Sequence, residues 1–117
     1  MTGGRLGFGL YGVNGHQVQH VLAGHAEAEL VAVGAFGDRK LPEGVGGVPC
    51  YGTLDELLAD DRVDVVSLCS PRRADQAGDA VTALRAGKHV YGEKPSALTE
   101  AGLNAIVAAC RETGKQY

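Results

Sequence analysis

The stretch from Gly12 to Gln17 holds the backbone groups best suited to bind an anion. An apolar run from Leu6 to Tyr11 ends in this glycine-containing turn, and apolar residues then recur with helical spacing. A strand, a tight turn and a helix start in this order present free N–H groups to a phosphate, and the helix dipole strengthens the attraction. We therefore predict that the turn faces the pyrophosphate of a dinucleotide. Its candidate contacts are Gly12, Asn14, Gly15, His16 and Gln17.

The glycine spacing allows two registers for this turn. The literal match to G-x-G-x-x-G at positions 7 to 12 would put the turn before any strand has been built, so we reject it. In the register that we prefer, Gly12 makes the turn and Gly15 opens the helix, while Asn14 and Gln17 stand where further glycines are expected. Asparagine is tolerable there because it is enriched at positive φ. The alternative is an ordinary turn that binds nothing.

A charged group follows the second predicted strand. In dinucleotide folds an acid near the end of that strand binds the ribose hydroxyls, but Ala35 stands in its place here. The nearest acid is Asp38, and Arg39 and Lys40 follow it. Loss of the acid and arrival of two cations favour a 2′-phosphate, and hence NADP over NAD. The alternative is a solvated loop.

Two more cations follow the third predicted strand. Pro71 stands at the first position of a predicted helix after Ser70, so Arg72 and Arg73 fall in the first helical turn. The helix dipole disfavours cations there. A nearby anion would explain them, and Asp75 could equally compensate their charge locally.

The histidines and cysteines give no metal or redox site. His16 and His20 have the i, i+4 spacing of a zinc pair, but a third ligand is not evident, so we expect no bound metal. Three cysteines show no C-x-x-C spacing, and we expect them to be reduced and mostly buried: Cys50, Cys69 and Cys110.

Strands and helices alternate along the chain. The apolar patterns predict strands at 6–11, 28–35, 63–70 and 89–92, and helices at about 15–24, 53–59, 71–87 and 99–114. Residues 41–52 are predicted to be an irregular connection, and residues 115–117 to begin a further strand. The last helix is expected to bury one face, formed by Leu103, Ile106, Val107 and Cys110. This order predicts an α/β fold with a doubly wound parallel sheet of Rossmann type, as a single domain over residues 1–117.

The parallel sheet would bring the chemically interesting segments to one edge. Ligands of such sheets bind beyond the carboxyl ends of the strands, where the strand order reverses. Four segments follow those ends and are expected to converge on one crevice: 12–17, 35–40, 70–73 and 92–95.

Charge and hydropathy exclude some partners. A net charge of −3 and a pI near 5.7 imply no basic face, so we expect no nucleic-acid partner. The apolar runs fall far short of the ~20 residues that span a bilayer, and no signal-peptide core precedes the first strand. We therefore expect no membrane partner and a cytoplasmic location.

The segment AGKHVYGEKP at 86–95, preceded by Ser70-Pro71 and followed by a helix from Thr99, carries a family resemblance. It closely resembles the amino-terminal NAD(P)-binding domain of the glucose-fructose oxidoreductase, inositol dehydrogenase and rhizopine catabolism (Gfo/Idh/MocA) family. The resemblance covers nearly the whole chain. It implies an oxidoreductase that moves a hydride between the nicotinamide of NAD or NADP and a hydroxyl-bearing carbon of a small-molecule substrate, often a sugar or cyclitol.

The resemblance also implies roles for individual residues. Lys94 would lie beside the nicotinamide ribose and the substrate hydroxyl as a catalytic residue, and Pro95 would follow a cis peptide bond. Glu93 would share in binding the cofactor, which Ser70 and Pro71 would border. The alternative for Lys94 is a surface lysine paired with Glu93 in an ordinary trans turn.

Family members continue into a second domain that carries further catalytic residues, and this chain has none of it. Because alcohol oxidation also needs a base for the hydroxyl proton, Lys94 alone is an incomplete site, and we expect the chain to be inactive by itself. We also expect an exposed apolar region near Tyr117 that favours homo-oligomers. The alternative function is a nucleotide-binding or sensing module without chemistry.

Overall fold

The computed structural model describes residues 4–117 and forms one parallel five-stranded sheet from them. The strands are β1 (Leu6–Tyr11), β2 (Ala28–Gly34), β3 (Cys50–Tyr51), β4 (Val65–Leu68) and β5 (His89–Gly92). Their spatial order is β3-β2-β1-β4-β5, so the order reverses between β1 and β4. The predicted doubly wound sheet of Rossmann type is confirmed.

Helices cover both faces of the sheet. They are α1 (Gln19–Leu22), α2 (Leu54–Leu58), α3 (Gln76–Arg85) and α4 (Glu100–Thr113), and a short 3₁₀ helix (Arg73–Asp75) precedes α3. Helices α2, α3 and α4 pack on one apolar cluster around Val66 and Leu84, whereas α1 and the loop after β2 cover a second cluster around Leu10 and Phe36. None of the helices within residues 4–117 is long and apolar enough to cross a membrane.

Two helices have the ends that their sequences predict. Thr53 and Glu56 form a capping box at α2, in which each side chain accepts from the other residue's backbone N–H. At α4, the Thr99 hydroxyl accepts from the Gly102 N–H at 3.0 Å, and Gly114 ends the helix in the left-handed conformation with φ 74°.

Other expectations require correction. Residues 41–52 were predicted to be irregular, but they contain strand β3. The sequence does not reveal this strand, because two residues are too few to give a periodic pattern. Only part of the predicted face of α4 is buried, since Leu103 and Val107 are exposed while Ile106 is covered. Cys50 is exposed, because its short strand lies at the edge of the sheet.

The strand register positions the crevice. Tyr11 pairs with Gly34 on one side and with Leu68 on the other, and Leu68 pairs with Gly92. Four strands therefore reach the same row at their carboxyl ends. The segments that follow them leave the sheet side by side.

The sheet face near Tyr117 has an open apolar groove of about 490 Å³. The tail after α4 lies beside β5, where the Val90 N–H donates to the Gln116 carbonyl at 3.0 Å, but residues 115–117 are not a strand. Tyr91 and Tyr117 line the groove and are both partly exposed to solvent. The expected exposed apolar region is present, and self-association through it stays a prediction.

A polar network joins β3 to the loop between α2 and β4. The Asp60 carboxylate accepts from the Arg62 guanidinium at 2.7 and 3.0 Å and from the Tyr51 hydroxyl at 3.0 Å. These bonds, those from Arg62 above all, lower the pKa of Asp60 from 3.8 to about 2. The folded state therefore binds this proton less readily than the unfolded state, so the network stabilises the fold above about pH 4 and loses that contribution as the pH falls toward 2.

We predict that Asp60→Asn lowers the free energy of unfolding at pH 7 by roughly 1 kcal/mol, because Arg62 is half exposed and solvent weakens the pair. The loss should shrink between pH 4 and pH 2. Urea unfolding at several pH values measures it, with the exposed neighbour substitution Asp61→Asn as the control. An equal loss at all pH values would contradict the assigned cause.

Candidate functional site

The turn after β1 depends on a glycine at position 12. Gly12 has φ 73°, and its N–H donates to the Gly34 carbonyl at 2.9 Å. A Cβ at this position would collide with the Cys69 carbonyl oxygen. Gly7 and Gly9 lie inside β1, so the preferred register is confirmed and the literal motif is not the turn.

The helix expected to open at Gly15 does not begin there. Helix α1 starts at Gln19 and has four residues, so the turn lies before the helix and its N–H groups are not those of a helix N-terminus. A side chain from the residue after β5 explains the difference, because the Glu93 carboxylate accepts from the His16 N–H. Positive φ is also absent at Asn14; among non-glycine residues of 4–117 it occurs at Ala35, with φ 48°.

Local bonds fix the shape of the turn. The Gln17 side chain donates to the Gly12 carbonyl at 2.7 Å, and the Asn14 N–H donates to the Cys69 carbonyl at 3.4 Å. The Cys69 thiol donates to the His16 carbonyl at 3.2 Å, and burial raises the pKa of this thiol to about 11. The turn is therefore fastened to the end of β4, and Cys69 is an inert thiol.

Two arginines reach the tip of the turn from different loops. The Arg39 guanidinium donates to the Val13 carbonyl at 3.4 Å, and Arg73 Nη2 donates to the Asn14 carbonyl at 2.5 Å. Arg73 Nη1 is buried and has no acceptor. Arg72 instead pairs with Asp75 at 3.7 Å, and both side chains are exposed. Local compensation thus explains Arg72, while Arg73 belongs to the turn.

Pro71 does not start the following helix, which corrects the expectation for Pro71, Arg72 and Arg73. Helix α3 begins at Gln76, whose buried side chain accepts from the Ser70 N–H at 2.9 Å and donates to the Leu68 carbonyl at 2.8 Å. These bonds hold Pro71 and Arg72 outside the helix, and Arg73 lies in the short 3₁₀ helix before α3. Gln76 was not among the residues predicted for the site. The signal that could have identified it is its position as a polar residue beside the apolar stripe of the helix.

The Ser70 side chain is bonded to α3. Its hydroxyl is fully buried and donates to Asp79 Oδ2 at 2.7 Å. Burial raises the pKa of Asp79 above its usual range. Ser70 therefore has a structural partner in α3.

Glu93 contacts both the turn and the residue after it. Its side chain is only 9% exposed and lies 3.2 Å from His16 Nδ1, while Oε1 accepts from the Lys94 N–H at 2.9 Å. The bond from the His16 N–H contributes most to lowering the Glu93 pKa, so the carboxylate is ionised at neutral pH.

Lys94 lies at a cavity beside the turn. The Lys94–Pro95 peptide bond is cis, as the resemblance implies. The cavity measures about 240 Å³ and is lined by His16, Gln17, Tyr91, Gly92, Glu93 and Lys94. The alternative prediction for Lys94, a trans turn with its side chain paired to Glu93, is wrong. The peptide bond is cis, and the Glu93 carboxylate accepts from backbone N–H groups.

The four predicted segments do converge on the crevice. Contacts join 12–17 to residues of the other three: Arg39, Arg73 and Glu93. Asp38 and Lys40 are exposed at its margin. Within residues 4–117, no three histidine, cysteine, aspartate or glutamate side chains are grouped as a metal site.

Residues 6–117 match the model of the Gfo/Idh/MocA oxidoreductase family, described as its NAD-binding Rossmann fold. The chain belongs to this family. It is thus an NAD-binding Rossmann domain of the oxidoreductase type, and the resemblance inferred from the GKHV and EKP segments is confirmed.

Relatives with assigned activities vary in substrate. A 4-carboxy-2-hydroxymuconate-6-semialdehyde dehydrogenase from a Sphingobium species is 32% identical over 107 residues, which are 91% of this chain and 30% of that protein. Crystal structures of D-galactose-1-dehydrogenase from Rhizobium etli and of KijD10, a 3-ketoreductase from Actinomadura kijaniata in complex with NADP, are each 28% identical, with TM-scores of 0.78. The matches cover 98% and 95% of this chain and 37% and 35% of those chains. The chain therefore spans about a third of the length of these relatives.

We predict that Gly12→Ala destabilises the domain more than Gly24→Ala does. Both glycines have φ near 70°, but Gly24 has open space around its Cα whereas Gly12 faces the Cys69 carbonyl. The strained φ should cost about 1 to 2 kcal/mol at either position, and the collision about 1 to 3 kcal/mol more at Gly12. Chemical denaturation of both variants measures the difference. Equal losses would show that the turn can move away from β4.

Proposed function

We propose that this chain is the cofactor domain of an oxidoreductase that transfers a hydride between the nicotinamide of NAD(P) and a hydroxyl of a sugar- or cyclitol-like substrate. The observation that carries the proposal is the meeting of the Gly12 turn, Arg73 and Lys94 at the carboxyl edge of the sheet, beside the reversal of strand order. This is where open α/β sheets bind their ligands.

The residues at the turn fit a pyrophosphate. Arg73 Nη1 is a buried cationic donor without an acceptor, and a phosphate oxygen would satisfy it. Gly12 lets the chain pass directly over the end of β4, which keeps the turn within reach of Arg73. Helix α1 is short and begins later, and the N–H groups of Gly12, Asn14 and His16 already have acceptors within the chain. Binding would therefore rely mainly on the guanidinium groups and not on a helix dipole.

A preference for NADP is part of the proposal. Ala35 stands where an acid would repel a 2′-phosphate, and Arg39 lies across the mouth of the turn, bonded to the Val13 carbonyl. Lys40 follows it and is exposed. The 3-ketoreductase relative was solved with NADP, which supports the same assignment.

Lys94 is the proposed catalytic residue of this domain. The bound cofactor supplies a nicotinamide carbon that accepts or donates the hydride. Lys94 lines the cavity next to His16, where its ammonium can hydrogen-bond the substrate hydroxyl and share in moving its proton. The relatives are about three times as long, so the remaining acid-base groups are assigned to the rest of a longer protein.

We predict that calorimetric titration of this chain detects NADPH binding at least about tenfold tighter than NADH binding, a difference of about 1.4 kcal/mol. Arg39→Ala should reduce NADPH affinity and leave NADH affinity nearly unchanged, because only NADPH carries the 2′-phosphate. Arg85→Ala, a remote exposed arginine paired with Glu112, controls for the loss of charge. Equal affinities would remove the NADP preference, and no binding of either nucleotide would overturn the cofactor function.

We predict that Lys94→Ala in the longer oxidoreductase lowers turnover by the ~10²- to 10⁴-fold typical of a lost acid-base group, and leaves NADPH affinity within a few fold. Lys94→Arg keeps the positive charge and should recover substrate binding more than turnover. Steady-state kinetics with a panel of sugars and cyclitols measures both. Undiminished turnover in Lys94→Ala would show that Lys94 is not a catalytic residue and would favour a nucleotide-binding role for this domain.

A further inference from the structure

Glu93 joins the two parts of the site that the proposed function uses. One carboxylate oxygen accepts from the His16 N–H in the turn, and the other accepts from the Lys94 N–H at 2.9 Å. The two oxygens of a single carboxylate therefore bridge the expected pyrophosphate site and the proposed catalytic lysine.

The surroundings of Glu93 make this bridge specific. Its side chain is 9% exposed, and the carboxylate is held by backbone N–H groups and the His16 ring, whereas the His16 side chain is 96% exposed. Gly15 leaves the space that Glu93 occupies, because a Cβ there would collide with the Glu93 side chain. Gly15 in the turn and Glu93 after β5 thus have complementary shapes.

The backbone of Glu93 is fixed independently of this bridge. Its N–H donates to the Leu68 carbonyl at 2.9 Å, and its carbonyl accepts from Gln76 at 3.3 Å. The side chain is therefore the part of Glu93 able to follow a movement of the His16 peptide. A change at the turn would be transmitted to the Lys94 N–H through the carboxylate.

We propose that Glu93 is a positioning residue, which couples occupancy of the glycine turn to the placement of Lys94. This inference rests on the proposed function, because it assumes that a pyrophosphate binds the turn. It assigns Glu93 an effect on Lys94 that does not require contact between Glu93 and the substrate.

ADP separates the coupling from direct contact. It carries a pyrophosphate but no nicotinamide, so it can occupy the turn without reaching Lys94. In two-dimensional NMR of the ¹⁵N-labelled chain, ADP should shift the His16 and Lys94 amide signals with the same apparent Kd. In Glu93→Ala, the His16 amide should still respond and the Lys94 response should be lost.

Three further measurements identify the carboxylate as the cause. Without nucleotide, Glu93→Ala should speed hydrogen exchange at the His16 and Lys94 amides by about tenfold or more, because each loses a bond to a charged acceptor. Glu93→Gln has one acceptor oxygen in place of two, so it cannot accept from both amides at once and should also weaken the Lys94 response. Glu43→Ala, an exposed loop substitution with the same charge change, should leave both amides as in the native chain.

The outcomes distinguish the two claims. If ADP shifts the His16 amide signal of the native chain but not the Lys94 signal, the coupling is overturned and cofactor binding is left intact. An unchanged Lys94 response in Glu93→Ala, with a melting curve like that of the native chain, would overturn it equally. If neither ADP nor NADPH shifts any amide of the turn, the proposed function fails and the coupling fails with it.

Discussion

The contact of Gly12 with the Cys69 carbonyl is the constraint on which the crevice depends. There is no room for a Cβ between the turn and the end of β4, so the chain leaving β1 must pass directly over the neighbouring strand. That close approach brings the Val13 and Asn14 carbonyls within reach of Arg39 and Arg73, which come from two other loops. The convergence of the site follows from this one backbone contact.

The crevice balances charges of opposite sign around the turn. Arg39 and Arg73 donate to its carbonyls on one side, and the Glu93 carboxylate accepts from its His16 N–H on the other. Cations at one end would attract the phosphates of a dinucleotide, whereas a fixed anion at the other end would repel them from the Lys94 cavity. A dinucleotide bound as proposed would therefore have its phosphates toward the arginines and its nicotinamide toward Lys94.

Local sequence signals predicted the sheet, the ends of α2 and α4, and the need for glycine at position 12. Thr53 acts with Glu56 within one turn of α2, and Thr99 and Gly114 each act within one turn at the two ends of α4, so their effects can be read from local sequence. The starts of α1 and α3 were wrong for the opposite reason. The Glu93 carboxylate acts on a residue 77 positions earlier, and the Gln76 side chain ties down Ser70 and Leu68, so tertiary contacts override the local preference for a helix.

The account is tested most directly by a crystal structure of this chain grown with NADPH. It predicts that the pyrophosphate lies over the Gly12 turn with a phosphate oxygen on Arg73 Nη1, that the 2′-phosphate meets Arg39, and that the nicotinamide enters the cavity beside Lys94. NADPH bound away from the turn would contradict the account, as would a pyrophosphate over Gly12 that leaves Arg73 Nη1 without a phosphate contact.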